Sequence, residues 1–273
     1  MKIDDIESII YEKEDNGICT ATISRPNKRN AVSVLSFLEI RTILDDMEKD
    51  KNAKVLIITG DPQGRAFSSG AFFDSKILKN ASKELLSEID MSDLAQKETT
   101  LSLFKFSKPI IAAINGLAIG GAYTMLLVGA DLIYMAEDAW LGLYFSQRAI
   151  IPEFSSSFLL PLLVGFQKAK EICYFGDKIS AQEAEKLGLV NKILPNDELI
   201  PFVREQALRL IPPKGPSSAI RSMKRTMHSY FINILSSTLD LENEGMRKAF
   251  ASSNFRESIR SFQEKRKPIF KED

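Results

Sequence analysis

Hydrophobic positions along the chain change period several times, and each change predicts an element. Residues 8–11 and 18–23 are two β-prone runs separated by Glu14-Asp15-Asn16-Gly17, whose Asn-Gly pair is a strong hairpin signal. The chain is therefore expected to open with a β-hairpin. A loop over 25–30 follows, and from 34 to 47 the apolar residues Leu35, Leu38, Leu44 and Met47 recur at helical spacing. Residues 55–60 form a short continuous apolar run ending in glycine, the pattern of a strand buried on both faces. Beyond a glycine- and serine-containing loop (64–70), residues 83–106 read as a polar helix that meets the core through Leu85, Ile89, Leu94, Leu101 and Phe104. The pattern then repeats: a second buried strand over 109–115, a turn at Gly116, a helix of small residues over 120–128 and a third strand over 131–135. Short parallel strands joined by right-handed helical crossovers are the expected architecture, an α/β fold.

From residue 155 onward the pattern is mostly helical: 155–164, 168–175 and 180–187, a brief strand at 191–194, then helices to the end. Ser180 followed by Glu183 has the form of a capping box and marks one helix start. The cluster Pro212-Pro213-Lys214-Gly215-Pro216 is the clearest breaker and reads as a soft boundary. The expected organisation is a core over 1–195 and a C-terminal helical region over 196–273.

Composition changes this picture mainly by exclusion. Lys plus Arg equals Asp plus Glu at 36 each, which argues against nucleic acid or an anionic membrane as the main partner. Apolar residues at 44% and charged residues at 26% are an ordinary globular balance. No apolar stretch approaches the roughly 20 residues of a transmembrane helix. Cys19 and Cys173 have no metal-ligand spacing and make no disulfide framework, so a reduced, cytoplasmic compartment is expected, with neither a secretory signal nor a peroxisomal address. The single histidine, His228, argues strongly against multi-histidine metal sites and histidine-dependent triads, and it reads as a solvated helix-face residue.

Two loops carry glycine at the carboxyl end of a buried strand: Ala66-Phe67-Ser68-Ser69-Gly70-Ala71 and Gly116-Leu117-Ala118-Ile119-Gly120-Gly121-Ala122. Ligands of parallel α/β sheets bind beyond those strand ends, and glycine lets backbone approach a ligand closely. Two backbone N–H groups could converge there on one oxygen atom, aided by a helix N-terminus behind Gly120-Gly121. Each loop by itself reads equally as a tight turn. The second loop lacks the GxGxxG dinucleotide spacing, and there is no Gly-Lys-Ser/Thr phosphate loop.

Taken together, RPNKRNAVS (25–33), VLIITGDPQGRAFSSGAFF (55–73), KPIIAAINGLAIGGAYTMLLVGADLIYMAEDAWLGL (108–143), GDKISAQEAEKLGLVNKILP (176–195) and a C-terminal FQEKRKPIF resemble the enoyl-CoA hydratase/isomerase, or crotonase, family. The resemblance implies a spiral of ββα units with a C-terminal helical trimerisation region, an acyl-CoA thioester substrate and a homotrimer or dimer of trimers. It implies no cofactor and no metal, since CoA is part of the substrate. Ala71, after Gly70, and Gly121, after Gly120, match the two residues whose amides form the family's oxyanion hole. Such donors stabilise an enolate oxygen by about 3–4 kcal/mol each. Lys28, Arg29 and Ala66 match positions that contact the CoA nucleotide and pantetheine. Phe262 and Lys265 match positions where a neighbouring subunit meets the adenine and phosphate, although Lys265 also reads as a solvated surface charge.

Family hydratases carry two glutamates where this chain has Thr124 and Phe145, so the usual machinery for adding water is absent. Glu153, in Ile151-Pro152-Glu153-Phe154-Ser155, stands instead where the resembling Δ3,Δ2-enoyl-CoA isomerases carry one catalytic glutamate. Taken without the resemblance, it reads as a helix N-terminal charge or cap. Apolar surroundings would raise its pKa and the helix N-terminus would oppose the rise. Phe72, Tyr123, Tyr144 and Phe145 are expected to line an acyl pocket, or else to be core aromatics. The function implied is enoyl-CoA isomerisation through a dienolate. A hydratase or other crotonase-type lyase, and a catalytically weak acyl-CoA-binding protein, stand as alternatives.

Overall fold

A computed structural model describes residues 1–72 and 87–272 of the chain. β1 (Ile9–Lys13) and β2 (Ile18–Ile23) pair antiparallel around the Asn-Gly turn, as expected. Helix α1 (Val34–Lys49) starts where the Ser33 side chain accepts from Ser36 N, and it buries Phe37, Ile40, Ile43, Leu44 and Met47 against the sheet. β3 (Val55–Gly60) is buried along its whole length, which its unbroken apolar run required. After α2 (Lys97–Lys105) come β4 (Ile110–Ile114), β5 (Ala118–Ile119), α3 (Gly121–Gly129), β6 (Leu132–Ala136) and β7 (Trp140–Gly142). The remainder is α4 (Ser156–Val164), α5 (Phe166–Phe175), β8 (Lys178–Ser180), α6 (Ala181–Lys186), β9 (Lys192–Leu194) and four helices: α7 (Asn196–Arg209), α8 (Ser217–Ser229), α9 (Ile232–Ala251) and α10 (Ser253–Gln263).

The main sheet has the order β1-β2-β3-β4-β6-β9, parallel except for the opening hairpin. A second sheet, β5-β7-β8, lies past the carboxyl ends of β4 and β6 in the chain. Its strands are two or three residues long, too short for any periodicity to reveal them from sequence. The apolar core runs on past residue 195, because α7 inserts Leu199, Val203 and Ala207 into the cluster that holds β3, β4 and β6.

Three expectations need correction. The helix foreseen over 83–106 is interrupted: Ser87 is helical, 88–96 form turns and irregular backbone, and α2 starts afresh at Lys97, where Asp93 accepts from Lys97 N at 2.7 Å and Glu98 N at 3.0 Å. Residues 73–86, including Leu85, lie outside the described residues, and the buried contacts of α2 are Leu103 and Phe104, with Leu101 only half-buried. At Ser180 only half of the capping box forms, its hydroxyl accepting from Glu183 N at 3.2 Å. His228 is no free solvated residue: its ring stacks on Phe104 at 4.0 Å, and Nδ1 lies 2.8 Å from Phe104 O.

Leu103 is fully buried beneath α3 at Gly129. Leu103→Ala is therefore expected to cost about 2–5 kcal/mol of unfolding free energy, read from the urea midpoint at unchanged slope.

Candidate active site

Three loops at the strand ends are fastened to one another before any reacting group is considered. Asn30 accepts from Arg25 N at 3.1 Å and donates to Asp61 O at 2.9 Å and Ala66 O at 2.8 Å, tying the loop over 25–30 to the turn after β3. Ser69 continues the seam, with its N–H on Arg29 O at 3.0 Å and its hydroxyl on Lys28 O at 3.1 Å. The third loop joins through a parallel bridge between Ser68 and Ala118. Gly70 then passes so close to β5 that a Cβ would sit 2.8 Å from Ile119 O, and its φ of +92° is one that side chains avoid. Both demands are met only by glycine.

This seam sets out two backbone donors. Around Ala71, Val32 N donates to Gly70 O at 3.0 Å and Phe72 N to Val32 O at 2.9 Å, so the flanking groups are used. Gly121 opens α3, where the first N–H groups have no partner within the helix. Among the described residues, neither the Ala71 nor the Gly121 N–H donates to any acceptor. Gly120 turns the chain into α3 with φ +52° and donates its own N–H to Gly142 O at 2.9 Å.

Glu153 meets this arrangement from the other side. Its Oε1 lies 2.9 Å from the point a Cβ on Gly121 would occupy, with the Phe154 ring 3.4 Å from the same point. No side chain larger than hydrogen fits at 121 without displacing that carboxylate. The residues after it, Phe154 and Ser155, both take left-handed backbone angles of φ +57° and +56°. Phe154 is wholly buried, edge-on to Phe37 at 5.2 Å, and its N–H donates to Ala95 O at 3.2 Å. Among the described residues the Glu153 carboxylate accepts no hydrogen bond. Burial pushes its pKa up to about 8, and the like charge of Glu242 adds to the rise. The opposing helix N-terminus is occupied elsewhere: Ser155 N and Ser157 N donate to Glu242 at 2.8 and 3.0 Å. Burial decides the matter.

The remaining site residues divide. Lys28 and Arg29 are exposed beside the seam, and Lys28 Nζ and Arg25 each lie 4.6 Å from the Phe72 ring centroid, on a half-buried aromatic that adjoins Ala71. Ala66 is buried, its backbone pressed against Gly116. Tyr144 is half-buried over Gly142. Tyr123 has no exposed surface and donates its hydroxyl to Leu189 O at 3.0 Å, so of the two expectations for it, pocket lining or core aromatic, the structure gives the core. Thr124 and Phe145 are buried as well, and Thr124 Oγ1 returns to Gly120 O at 3.3 Å. Both stand in packed interior, at the positions where the resemblance set the two acids of the family's hydratases. Phe262 lies on the exposed face of α10 beneath Arg148, and Lys265 follows that helix with φ +53°; no described contact joins either to the two loops of the same chain. The sequence reading missed Asn30 as the fastener and Glu242 as a neighbour of Glu153. Glu242 is 89 positions away, and only its place beside the buried Leu239 and Asn243 hinted at an inward face.

A profile described as enoyl-CoA hydratase/isomerase matches residues 13–273. The chain belongs to that family. It is 33% identical to the crotonyl-CoA hydratase of Syntrophomonas wolfei subsp. wolfei over 97% of this chain and 98% of that one. It is 34% identical to the peroxisomal enoyl-CoA delta isomerase 3 of Mus musculus over 69% of this chain and 57% of that one. The solved enoyl-CoA hydratase/isomerase of Pseudoalteromonas atlantica T6c superposes with a TM-score of 0.84 at 25% identity, over 97% of this chain and all of that one. The crotonase fold and a crotonase-family acyl-CoA enzyme are thereby established. Among the described residues no helix is long and apolar enough to cross a membrane.

The raised pKa has a stability consequence whose sign is fixed. From about pH 4.5 to about 8 the folded carboxyl keeps a proton that the unfolded one has lost, so Glu153 costs stability as pH rises through that window, by at most about 1.4 kcal/mol per pH unit. Glu153→Gln should melt higher than the wild type, with the gain small at pH 5 and largest near pH 9, read by calorimetry. Gly121→Ala should retain the fold but lose roughly 100-fold in turnover, because the added methyl displaces the carboxylate.

Proposed function

We propose that this crotonase-family enzyme is a Δ3,Δ2-enoyl-CoA isomerase in which Glu153 is the single acid/base. The observation that carries the reading is the carboxylate at Gly121, free of hydrogen bonds among the described residues and raised toward neutral pH. The thioester oxygen of a 3-enoyl-CoA accepts from the N–H groups of Ala71 and Gly121. Glu153 takes the C2 proton, and the electron pair flows into a dienolate whose charge rests on that oxygen. The same carboxyl returns the proton to C4, giving the 2-enoyl-CoA with no net change in atoms and no need of a cofactor. A base that also serves as the acid works best with a pKa near the working pH, and burial supplies that here. The fastened loops favour the same reading, since preorganised donors cost no reorganisation as charge develops. The likeness to an enoyl-CoA delta isomerase supports it further.

Lys28 and Arg29, exposed next to Phe72, suit the phosphates and adenine of CoA, and Phe262 and Lys265 would complete that contact from a neighbouring subunit. The exposed apolar residues Leu162, Leu163 and Phe166 favour a homotrimer or a dimer of trimers.

Hydration is the second reading, favoured by the likeness to a crotonyl-CoA hydratase over nearly the full length. Adding water calls for a group to activate it beside a separate proton donor, and Thr124 and Phe145 supply neither. Assayed side by side, 3-enoyl-CoA isomerisation is expected to exceed 2-enoyl-CoA hydration, and hydration without isomerisation would overturn the proposal. Glu153→Gln should lower isomerisation by about 10²–10⁴-fold while acyl-CoA binding persists in calorimetric titration. Because the base must be ionised, kcat/KM should rise with pH and level off above about 8.

A further inference from the structure

Glu153 leaves the backbone just before two consecutive left-handed residues, Phe154 and Ser155, and neither is a glycine. Such a turn persists only where its surroundings hold it. The groups that hold it come from the C-terminal helix α9. Glu242, 2% exposed, accepts from Ser155 N at 2.8 Å, from Ser157 N at 3.0 Å and from the Ser157 hydroxyl. A side chain at the helix start usually caps those amides. Here the Ser155 hydroxyl points instead to Leu235 O at 3.3 Å, again on α9, and the capping oxygens arrive from Glu242. The next residue completes the clamp: Asn243 Oδ1 accepts from Ala95 N at 2.8 Å, and Ala95 O accepts from Phe154 N at 3.2 Å.

We propose that Glu242 is the positioning residue for Glu153: by bridging the amides of Ser155 and Ser157 it fixes the left-handed turn from which the Glu153 carboxylate reaches Gly121. The C-terminal helix is then part of the catalytic apparatus of its own chain. Other charged groups around α9 are engaged with each other. Asp93 accepts from Asn243 at 3.1 Å, Lys97 pairs with Asp240, and Glu244 pairs with Lys248. Glu242 is the charged group that acts on Glu153, and its carboxyl is itself raised to about 7 by burial.

The test compares the full chain with Glu242→Gln, which keeps the shape but presents an NH₂ to one of the amides it must accept from. The kinetic readout rests on the isomerase reading. The expected result is a folded protein whose kcat for 3-enoyl-CoA isomerisation falls roughly tenfold to a hundredfold at nearly unchanged KM, as a misaimed base would give. The midpoint of its kcat/KM profile should move to lower pH, since a neighbouring negative charge is gone. A second readout needs no turnover: the carboxyl band of Glu153, isolated as the infrared difference against Glu153→Gln, should titrate at lower pH in Glu242→Gln. Loss of stability with kcat, pH profile and carboxyl titration all unchanged would overturn the proposal and leave Glu242 a structural cap. If isomerisation is absent in the wild type while the Glu153 titration still moves, the isomerase reading fails and the positioning role stands. If Glu242→Gln does not fold, Ser157→Ala decides, because it removes only the hydroxyl bond. A kcat reduced roughly threefold or more supports the role, and an unchanged kcat overturns it.

Discussion

The close approach of the Glu153 carboxylate to Gly121 is the contact on which the rest of this molecule depends. The Glu153 side chain is half-buried, its carboxylate pressed against Gly121 and the Phe154 ring, and no hydrogen bond from the described residues offsets the water it loses there. Its proton affinity rises as a result. The same packing brings the carboxylate beside Gly121, whose N–H opens α3. Gly121 permits this by having no side chain.

Around that contact the loops are joined by hydrogen-bonded seams as well as by apolar packing. Asn30, Ser69 and the Ser68–Ala118 bridge fasten three loops that leave different strands, and the buried Asn30 amide satisfies backbone carbonyls that would otherwise be stranded near the core. The donors at Ala71 and Gly121 are thereby fixed in the resting protein. Lys28 and Arg29 meet solvent on the outer side of the seam, beside the half-buried Phe72.

Electrostatics and chain topology meet at Glu242. A buried carboxylate near another would ordinarily be a liability, and the structure tolerates it because two amides and a hydroxyl are directed at Glu242. The strained turn at Phe154 and Ser155 and the elevated pKa of Glu153 thus have one common neighbour, supplied by a helix far along the chain. Thr124 and Phe145 are closed off by packing, so neither presents a group to the surface around Gly121.

Much of this was readable from the chain alone. Unbroken apolar runs fixed β3 and β4, Asn16-Gly17 fixed the hairpin, and the glycine loops with Glu153 pointed to the chemistry, because periodicity, turn propensity and motif spacing are local properties. The two-residue strand β5, the burial of Tyr123 and the stacking of His228 were not readable. Each depends on partners dozens of positions away: Ser68 beside Ala118, Leu189 O above Tyr123, Phe104 under His228. The direction of the Glu153 pKa also needed the fold, since sequence offered an apolar setting and a helix end with opposite effects. Only the tertiary structure shows that Glu242 has taken the helix amides, which leaves desolvation to prevail.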